Sequence, residues 1–403
     1  MKLPHTLLRR LTAILACLNR KPSLRILGHL YFTPVGPNTL ITASDLELHL
    51  HWPLPTVTFG SLDQPASCPL DWFLKLAKAV RKDGHLELRL TEDGRTLCAY
   101  PSTGPSARSP ERSLPIADMP LFSTASHRRG GWLSHETLQH LTAAKDFIST
   151  DETRYVLQGS FISATGHCVA TDGRRLCHRA TAGTRLPDDI IVPAKWFPAL
   201  LELSDGLLLE NGSGRFWKGE VGGTRLPIWL NGGHNPETDV THATDWMLVQ
   251  SGDCLLNCRL IDGNYPNWRQ VIPSSFNALA DLNDDFLDTL RTTLARSPKR
   301  KETRVTFHLD PDGHLRADIY TSSGQSRTDL VDAHFLAGKH VIDLRQQHFS
   351  ITFDANLLLS ALTTTGPRLR FTNDISPILI GDPVQGEAVL MPMRNATPAT
   401  AKA

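Results

Sequence analysis

The densest group of reactive side chains in the sequence is His167, Cys168, Asp172, Cys177 and His178. Imidazole and thiolate are the usual zinc ligands, and an imidazole can take the proton of a cysteine nucleophile, so a metal or a covalent site is conceivable here. The spacing works against both. If the flanking segments are strands, His167 and Cys168 point to opposite faces of the sheet and a shared metal is awkward. Asp172, directly before Gly173, reads as a turn aspartate. Cys254 and Cys258 fall on one face of a strand, but two thiols with no further ligand are more often core residues. The chain has no P-loop, dinucleotide fingerprint, Gly-x-Ser-x-Gly elbow or His-Glu-x-x-His motif. No catalytic residue, metal or cofactor is expected, and the residues point to a protein that binds.

The elements that must position these residues belong to a soluble chain of several domains. At 403 residues the chain exceeds one ordinary core, and 40% hydrophobic with 21% charged residues suits globular folding. No apolar run approaches the roughly 20 residues of a spanning helix. The start, 1–18, reads as an amphipathic helix rather than a signal sequence, because Arg9 and Arg10 sit too far in and the apolar stretch is too short. The seven cysteines (17, 68, 98, 168, 177, 254 and 258) are odd in number and scattered. Reduced thiols and a cytoplasmic location are expected. A formal charge of +1 excludes gripping nucleic acid by bulk electrostatics, so any such contact needs locally segregated charge.

One order of elements recurs three times, at a period the length of a whole domain. Each copy opens with an amphipathic helix, at 7–17, 136–147 and 285–296. A hairpin follows in each, with strands at 30–33 and 39–50 around Gly36, 161–163 and 168–171 around Gly166, and 305–309 and 315–320 around Gly313. Later a strand runs into a second helix, at 68–80, 190–203 and 351–362. Gly84, Gly206 and Gly366 then lead into the strands HLELRL, LLLE and PRLRF. The economical reading is three copies of one α+β domain, each with about two helices on antiparallel sheet, spanning 1–128, 129–273 and 274–403. Gly130–Gly131 and the run from Pro273 to Ser275 suit the joints.

On this repeat sit several motifs in a fixed order: KPSLRILG at 21–28, ASDLE at 43–47, LPIADMP at 114–120, RYVLQG at 154–159, ATDGRRL at 170–176, LIDGNYPNWRQVIP at 260–273 and VLMPMR at 389–394. With them the chain resembles, over nearly its whole length, the beta sliding clamp of bacterial DNA polymerase III. The resemblance implies three DNA-clamp domains per subunit and a head-to-tail homodimer closing a ring around duplex DNA. It implies no enzyme activity of its own but a processivity subunit serving a replicative polymerase, with the clamp loader and repair proteins as further partners through linear peptides. The peptide pocket it implies lies between the second and third domains. Its residues here are Leu157, Thr171, Gly173, Arg174, Arg175, Leu176, Pro266, Gln270, Val271, Val389, Leu390, Met391, Pro392, Met393 and Arg394. Methionine suits a surface accepting many related peptides, because its flexible thioether repacks with little strain. Without the resemblance, the Met-Pro-Met run reads as a buried final strand.

A ring that slides must not read base sequence, so weak backbone contacts from lysine and arginine are what the task requires. Arg20, Lys21, Lys75, Lys78, Lys82, Arg291 and Arg296, with Tyr155, are the expected DNA-facing set. Arg9, Arg10, Arg81, Lys299, Arg300 and Lys301 add to the basic character of the helices and their ends. With Phe73, Ala77 and Val80 inward, Lys75, Lys78 and Lys82 share an exposed helical face. Any one such residue taken alone is as readily a solvated surface cation.

The chain also departs from the family pattern. Arg174 stands where a histidine is often found, and Gln270 where many members carry arginine. The stretch 222–244 is longer than the family's connection, 395–403 extends past the usual end, and Pro4 with His5 interrupts what the family has as a continuous first strand. Two other readings compete: a clamp-like paralogue that docks peptides without being loaded on DNA, and an enzyme using Asp172 with a nearby His or Cys.

Overall fold

A computed structural model of the chain describes residues 1–119, 129–209, 225–231, 233–235, 240–242, 245–297, 302–310, 313–322, 324–332, 334–335, 349–384 and 386–393. In chain order the first elements are β1 (Lys2–Pro4), α1 (His5–Leu15), β2 (His29–Val35), β3 (Asn38–Ser44), β4 (Leu48–Pro55), α2 (Thr56–Phe59), β5 (Ala66–Pro69), α3 (Leu70–Ala79), β6 (His85–Leu90), β7 (Leu97–Pro101) and β8 (Ala107–Arg108). Next come β9 (Arg129–Ser134), α4 (His135–Ala143), β10 (Gly159–Ile162), β11 (His167–Thr171), β12 (Arg175–Ala180), β13 (Ile190–Pro193), α5 (Phe197–Leu209), β14 (Arg225–Leu230), β15 (Gly233–Asn235), β16 (Val240–His242), β17 (Trp246–Ser251) and β18 (Cys254–Arg259). The last are β19 (Ala278–Asp281), α6 (Asp284–Arg296), β20 (Arg304–Leu309), β21 (His314–Thr321), β22 (Gly324–Asp332), β23 (His334–Phe335), β24 (Phe349–Asp354), α7 (Ala355–Thr365), β25 (Arg368–Phe371), β26 (Ile378–Asp382) and β27 (Gly386–Leu390).

The chain divides into two compact units. The first is Met1–Thr142 with Ile162–Gly166 and Thr181–Gly263; the second is Ala143–Phe161 with His167–Ala180 and Asn264–Ala403.

In the first unit an eight-stranded antiparallel sheet runs in the order β5-β2-β3-β4-β18-β17-β14-β9. Its two halves join where β4 pairs β18, from Leu48 opposite Cys258 to His51 opposite Leu255. A smaller sheet, β1-β6-β7-β8, and the two-stranded β15-β16 belong to the same unit. Helix α1 packs on α3 and α5 through a fully apolar stripe of Leu8, Leu11, Ile14 and Leu15, and Phe73 of α3 meets Phe32 of β2 at 6.0 Å between ring centroids. Pro4 cannot donate to a ladder, and the chain turns directly from it into α1, so the first strand is only three residues long. Arg10 is not available to an external partner: it is buried, donates to Ser251 Oγ at 3.2 Å and lies 5.2 Å over the Trp52 ring.

In the second unit one sheet carries β10, β11, β12, β27, β26, β25, β19 and β23 in that order, and a four-stranded sheet runs β22-β21-β20-β24. Helices α6 and α7 pack together. Both start at side-chain caps: Asn283 accepts from Phe286 N, and Asp354 from Asn356 N and Leu357 N. Under them Phe286, Phe307, Phe349, Phe353 and Phe371 form a linked aromatic cluster, with centroids 5.5 to 6.2 Å apart.

The repeated hairpin is present at all three positions, and Gly36, Gly166 and Gly313 have φ of 55°, 90° and 99°, the left-handed region that favours glycine. The remaining differences from the sequence reading are local. The segment 39–50 is two strands rather than one, because Asp45 Oδ1 accepts from Glu47 N and Leu48 N and turns the chain at Leu46, whose φ is 75°. The helix expected over 136–147 is α-helical to Ala143 and continues as a 3-10 turn, Ala144–Phe147. Gly206 and the leucines after it lie within α5 rather than in a strand. A glycine inside a helix costs only about 1 kcal/mol relative to alanine, and Leu207 to Leu209 are strong helix formers.

Phe307 sits at the centre of the aromatic cluster with no exposed surface. Phe307→Ala is expected to destabilise the second unit by about 3–5 kcal/mol. Urea denaturation checks this, and a loss under 1 kcal/mol would show that the cluster does not carry the unit's core.

Candidate peptide-docking platform

The residues singled out around 171–176 and 389–393 meet in the second unit because β12 and β27 are antiparallel neighbours. Arg175 lies opposite Leu390, Leu176 opposite Val389 and His178 opposite Glu387. Past the end of the ladder, Met391 N donates to Arg174 O at 3.0 Å, and Met393 N donates to Thr352 O at 2.7 Å. The backbone of the Met-Pro-Met segment is therefore held at both ends, while the Met391 and Met393 side chains stay 38% and 40% exposed.

The turn between β11 and β12 is built by the Asp-Gly pair. Asp172 Oδ1 accepts from Arg174 N at 2.9 Å and Arg175 N at 3.0 Å, Thr171 Oγ1 donates to Arg175 O, and Gly173 takes φ of 86°. Asp172 is thus a turn residue. Its second oxygen accepts from Arg175 Nε at 3.1 Å.

Strand alternation sorts the candidate residues into two faces. On one face Val169, Leu176, Leu379, Val389 and Trp268 form a buried apolar cluster, against which Phe161, Tyr265, Val271, Ile272 and Phe276 pack while partly exposed. This is the platform. Arg175 and Leu390 fall on the opposite face: the Arg175 guanidinium lies 4.6 Å over Phe147 and donates to Asp146 O, and Leu390 is fully buried. Structure and expectation differ at these two positions because a strand can present only every second residue to one side. Thr171 and Leu176 are opposite one another in the hairpin and share the platform face. Leu157 is buried at the end of a 3-10 segment, Glu152–Leu157. Pro266, Gln270, Gly173 and Arg174 are exposed, and Arg394 lies outside the described residues, as do 395–403 and parts of 222–244.

Sequence reasoning did not single out Val169, Phe161, Tyr265, Trp268, Ile272, Phe276 or Leu379 as site residues. The period-2 pattern of Val169, Thr171, Leu176 and His178 could have found the first of these. Phe161 comes from β10, and the others arrive from the 264–277 segment and from β26, whose approach only the fold defines.

No group on the platform is poised for covalent chemistry. Cys168 and Cys177 are buried on the far face, and burial pushes the Cys177 thiol up to about 12, which leaves it a protonated, poor nucleophile. Among the described residues no three His, Cys, Asp or Glu side chains converge as metal ligands. Tyr265 donates through its hydroxyl to Val169 O at 3.3 Å, and burial raises its phenol. His167 Nδ1 and His178 Nε2 are 3.0 Å apart, and the His178 ring lies on Trp268 at 4.4 Å. Burial, then His167 and Arg269, push the His178 imidazole down to about 4. Burial and Arg269 also lower His167.

The expected DNA-facing residues are all exposed. In the first unit α3 buries Leu70, Phe73, Leu74 and Ala77 and leaves Lys75 and Lys78 in solvent; Lys82 follows the helix, and Arg20 and Lys21 precede β2. Arg20 Nε is 3.8 Å from Asp71. In the second unit Tyr155 is 57% exposed, and Arg291 and Arg296 lie on the open face of α6, with Arg291 bonded to Asp288 at 3.1 Å. Arg9 pairs Glu202 at 2.9 Å. Lys299, Arg300 and Lys301 lie outside the described residues.

Repeated helix-on-antiparallel-sheet units, with an apolar platform rimmed by methionine and arginine, define a clamp-type binding protein. No family model matches the sequence. The chain is 24% identical over 401 residues to the beta sliding clamp of Escherichia coli K12, covering 96% of this chain and 97% of that protein. It is 22% identical over 404 residues to the beta sliding clamp of Caulobacter vibrioides, with the same coverage. Among solved structures, the Caulobacter crescentus beta sliding clamp superposes with a TM-score of 0.73 at 22% identity, covering 98% of both chains. The Pseudomonas aeruginosa sliding clamp, DNA polymerase III subunit beta bound to griselimycin, superposes at 0.72 and 19% identity, covering 98% of this chain and 99% of that one. The chain is a divergent relative of the bacterial beta sliding clamps and has their fold over 98% of its length.

The low His178 value has a consequence for stability. In the unfolded chain the imidazole takes up a proton near 6.5, while in the folded chain it resists to about 4. Between these limits the unfolded state binds more protons, so the contribution is complete above 6.5 and is lost as pH falls toward 4. Urea midpoints are expected to drop between pH 7 and 4.5, with a shallower drop in His178→Phe. Equal slopes in the two proteins would rule out His178 as a source.

Proposed function

We propose that the chain is a DNA sliding clamp subunit, a non-catalytic processivity factor for a replicative DNA polymerase III. Two copies join head to tail into a ring around duplex DNA, each copy contributing three clamp domains, 1–128, 129–273 and 274–403. The observation that carries the reading is the end-to-end match to beta sliding clamps in both sequence and fold. The alignment of 96% of the chain to 97% of a clamp supports this three-domain reading.

The chemistry agrees with the task. A ring is retained by topology, so its contacts with DNA need only be weak and indifferent to sequence. Exposed lysine and arginine at Arg20, Lys21, Lys75, Lys78, Lys82, Arg291 and Arg296 can meet phosphates through water without reading bases. Near-zero net charge keeps that attraction local. Tyr155 adds an exposed ring to the same set. The platform formed by Leu176, Val389 and Trp268 and rimmed by Met391 and Met393 receives linear peptides of the polymerase, the clamp loader and repair proteins. Pro266, Gln270 and Val271 on one side and Gly173 and Arg174 on the other frame it. Arg175 and Leu390 act from beneath, holding the turn and the strand rather than touching the peptide. The cytoplasm, where the replication machinery works and thiols stay reduced, is the matching compartment.

Two measurements test this. Light scattering should give a dimer, and protein loaded by the host's clamp loader with ATP should stay on nicked circular DNA and leave when the circle is cut. A monomer, or retention indifferent to DNA ends, would leave a docking scaffold instead. For the platform the probe is griselimycin, the ligand of the Pseudomonas aeruginosa clamp. Val271→Asp is expected to weaken its binding at least about tenfold, the effect of losing roughly 1.4 kcal/mol of apolar contact. Unchanged affinity would place the ligand elsewhere.

A further inference from the structure

We propose that His167 and His178 act as a one-proton dyad that positions Trp268, and with it the Trp268–Val271 turn, for peptide docking. The inference rests on the platform being the docking site. Neither imidazole need touch the peptide, so both are positioning residues.

The geometry defines the dyad. His167 Nδ1 and His178 Nε2 are 3.0 Å apart, the ring centroids are 5.3 Å apart and the planes are inclined by 18°. That centroid separation is what remains when two ring radii are added end to end to the N···N distance. Both nitrogens therefore lie on the line between the ring centres, and the rings meet edge to edge. A line of this kind holds one hydrogen, donated by one nitrogen and accepted by the other. Two N–H groups facing each other across it would repel.

The bond fixes what stands on it. The Trp268 indole lies 4.4 Å from the His178 ring at 28° and 5.8 Å from the His167 ring at 45°. Trp268 opens a single 3-10 turn, Trp268–Val271, whose preceding residue Asn267 offers no side-chain cap. Such a short turn has little stability of its own, so its place is set by the surface its indole rests on. Val271, which ends the turn, and Ile272 after it pack on the apolar cluster as part of the platform. A shift of the indole thus moves the platform edge.

The charged and titratable neighbours favour a dyad that stays linked near neutrality. Arg269 lies beside it, 4.2 Å over Trp268, and disfavours a second positive charge. Glu387, opposite His178 on β27, is engaged by Arg370 of β25 at 2.7 Å. The Tyr265 hydroxyl is committed to Val169 O. A first proton added in mild acid goes to the more exposed His167, which then donates to neutral His178 and keeps the line intact. Only a second proton, on His178, breaks it, and that occurs near pH 4.

The test uses the full chain, 15N-labelled at histidine, with griselimycin as the docking probe. The NMR titration should show coupled 167 and 178 rings sharing one N–H···N proton from pH 8 to 5, with His178 remaining neutral until about 4. Independent titration of both rings near 6.5 would overturn the dyad. Griselimycin affinity should be flat from pH 8 to 5. His178→Phe, which keeps an aromatic surface but removes the shared proton, should weaken it about tenfold. His178→Gln, whose amide can still accept from His167, should restore it to within about threefold, in keeping with the modest worth of one hydrogen bond. Wild-type affinity in His178→Phe would overturn the positioning role while leaving the docking reading in place. Failure of the wild-type chain to bind griselimycin at pH 7.5 would sink the docking reading itself, whatever the NMR shows.

Discussion

The pairing of β12 with β27 is the interaction on which the candidate site depends. These strands are far apart in the sequence, and the ladder from Arg175–Leu390 to His178–Glu387 places the Asp-Gly turn beside the Met-Pro-Met segment. The bond from Met391 N to Arg174 O extends that ladder by one step. Two exposed methionines are consequently held at a defined edge instead of trailing from the last strand. Long-range antiparallel pairing is slow to find but strongly specified once one face is buried, because a slip of one residue would exchange Leu176 for Arg175 and Val389 for Leu390.

The same period of two explains why a short motif can serve two roles. In ATDGRRL, Thr171 and Leu176 face the platform, whereas Arg175 turns under it to Asp172, Asp146 and Phe147. An arginine so nearly buried is tolerable because its Nε and one terminal nitrogen are met by a carboxylate and a carbonyl and its plane by an aromatic ring. Its removal would leave Asp172 Oδ2 without its guanidinium partner. Arg174, one residue earlier, is in solvent. Neighbouring arginines of identical chemistry are thus separated into a structural and a rim residue by backbone geometry alone.

A comparable sorting applies to the basic residues of the helices. Of the two α1 arginines, Arg10 is buried between Ser251 and Trp52, whereas Arg9 stays exposed and pairs with Glu202. Lys75 and Lys78 of α3 stay in solvent because the apolar stripe of that helix faces the sheet. Charge counting along the sequence treats these residues alike. Burial separates Arg10 from the rest, because a guanidinium can bury its stem and still place its head on a hydroxyl and an aromatic ring.

The sequence by itself determined the repeated helices and hairpins, the left-handed glycines of the hairpin turns, the absence of known catalytic motifs and the kinship with clamps. These follow from local periodicity, steric rules and motif order, which need no knowledge of distant contacts. It also singled out both segments that meet in the candidate site. Tertiary structure decided which residues of each half share a face, and it added Trp268, Tyr265, Phe276, Leu379 and the histidine dyad, residues that only long-range packing brings to the platform. It decided as well that 39–50 breaks at Asp45 and that α5 runs through Gly206. The physical reason is the same throughout: propensity and spacing act over a few residues and are worth tenths of a kcal/mol to about 1 kcal/mol each. Burial of a side chain, worth about 1.5–3 kcal/mol, depends on partners drawn from anywhere in the chain.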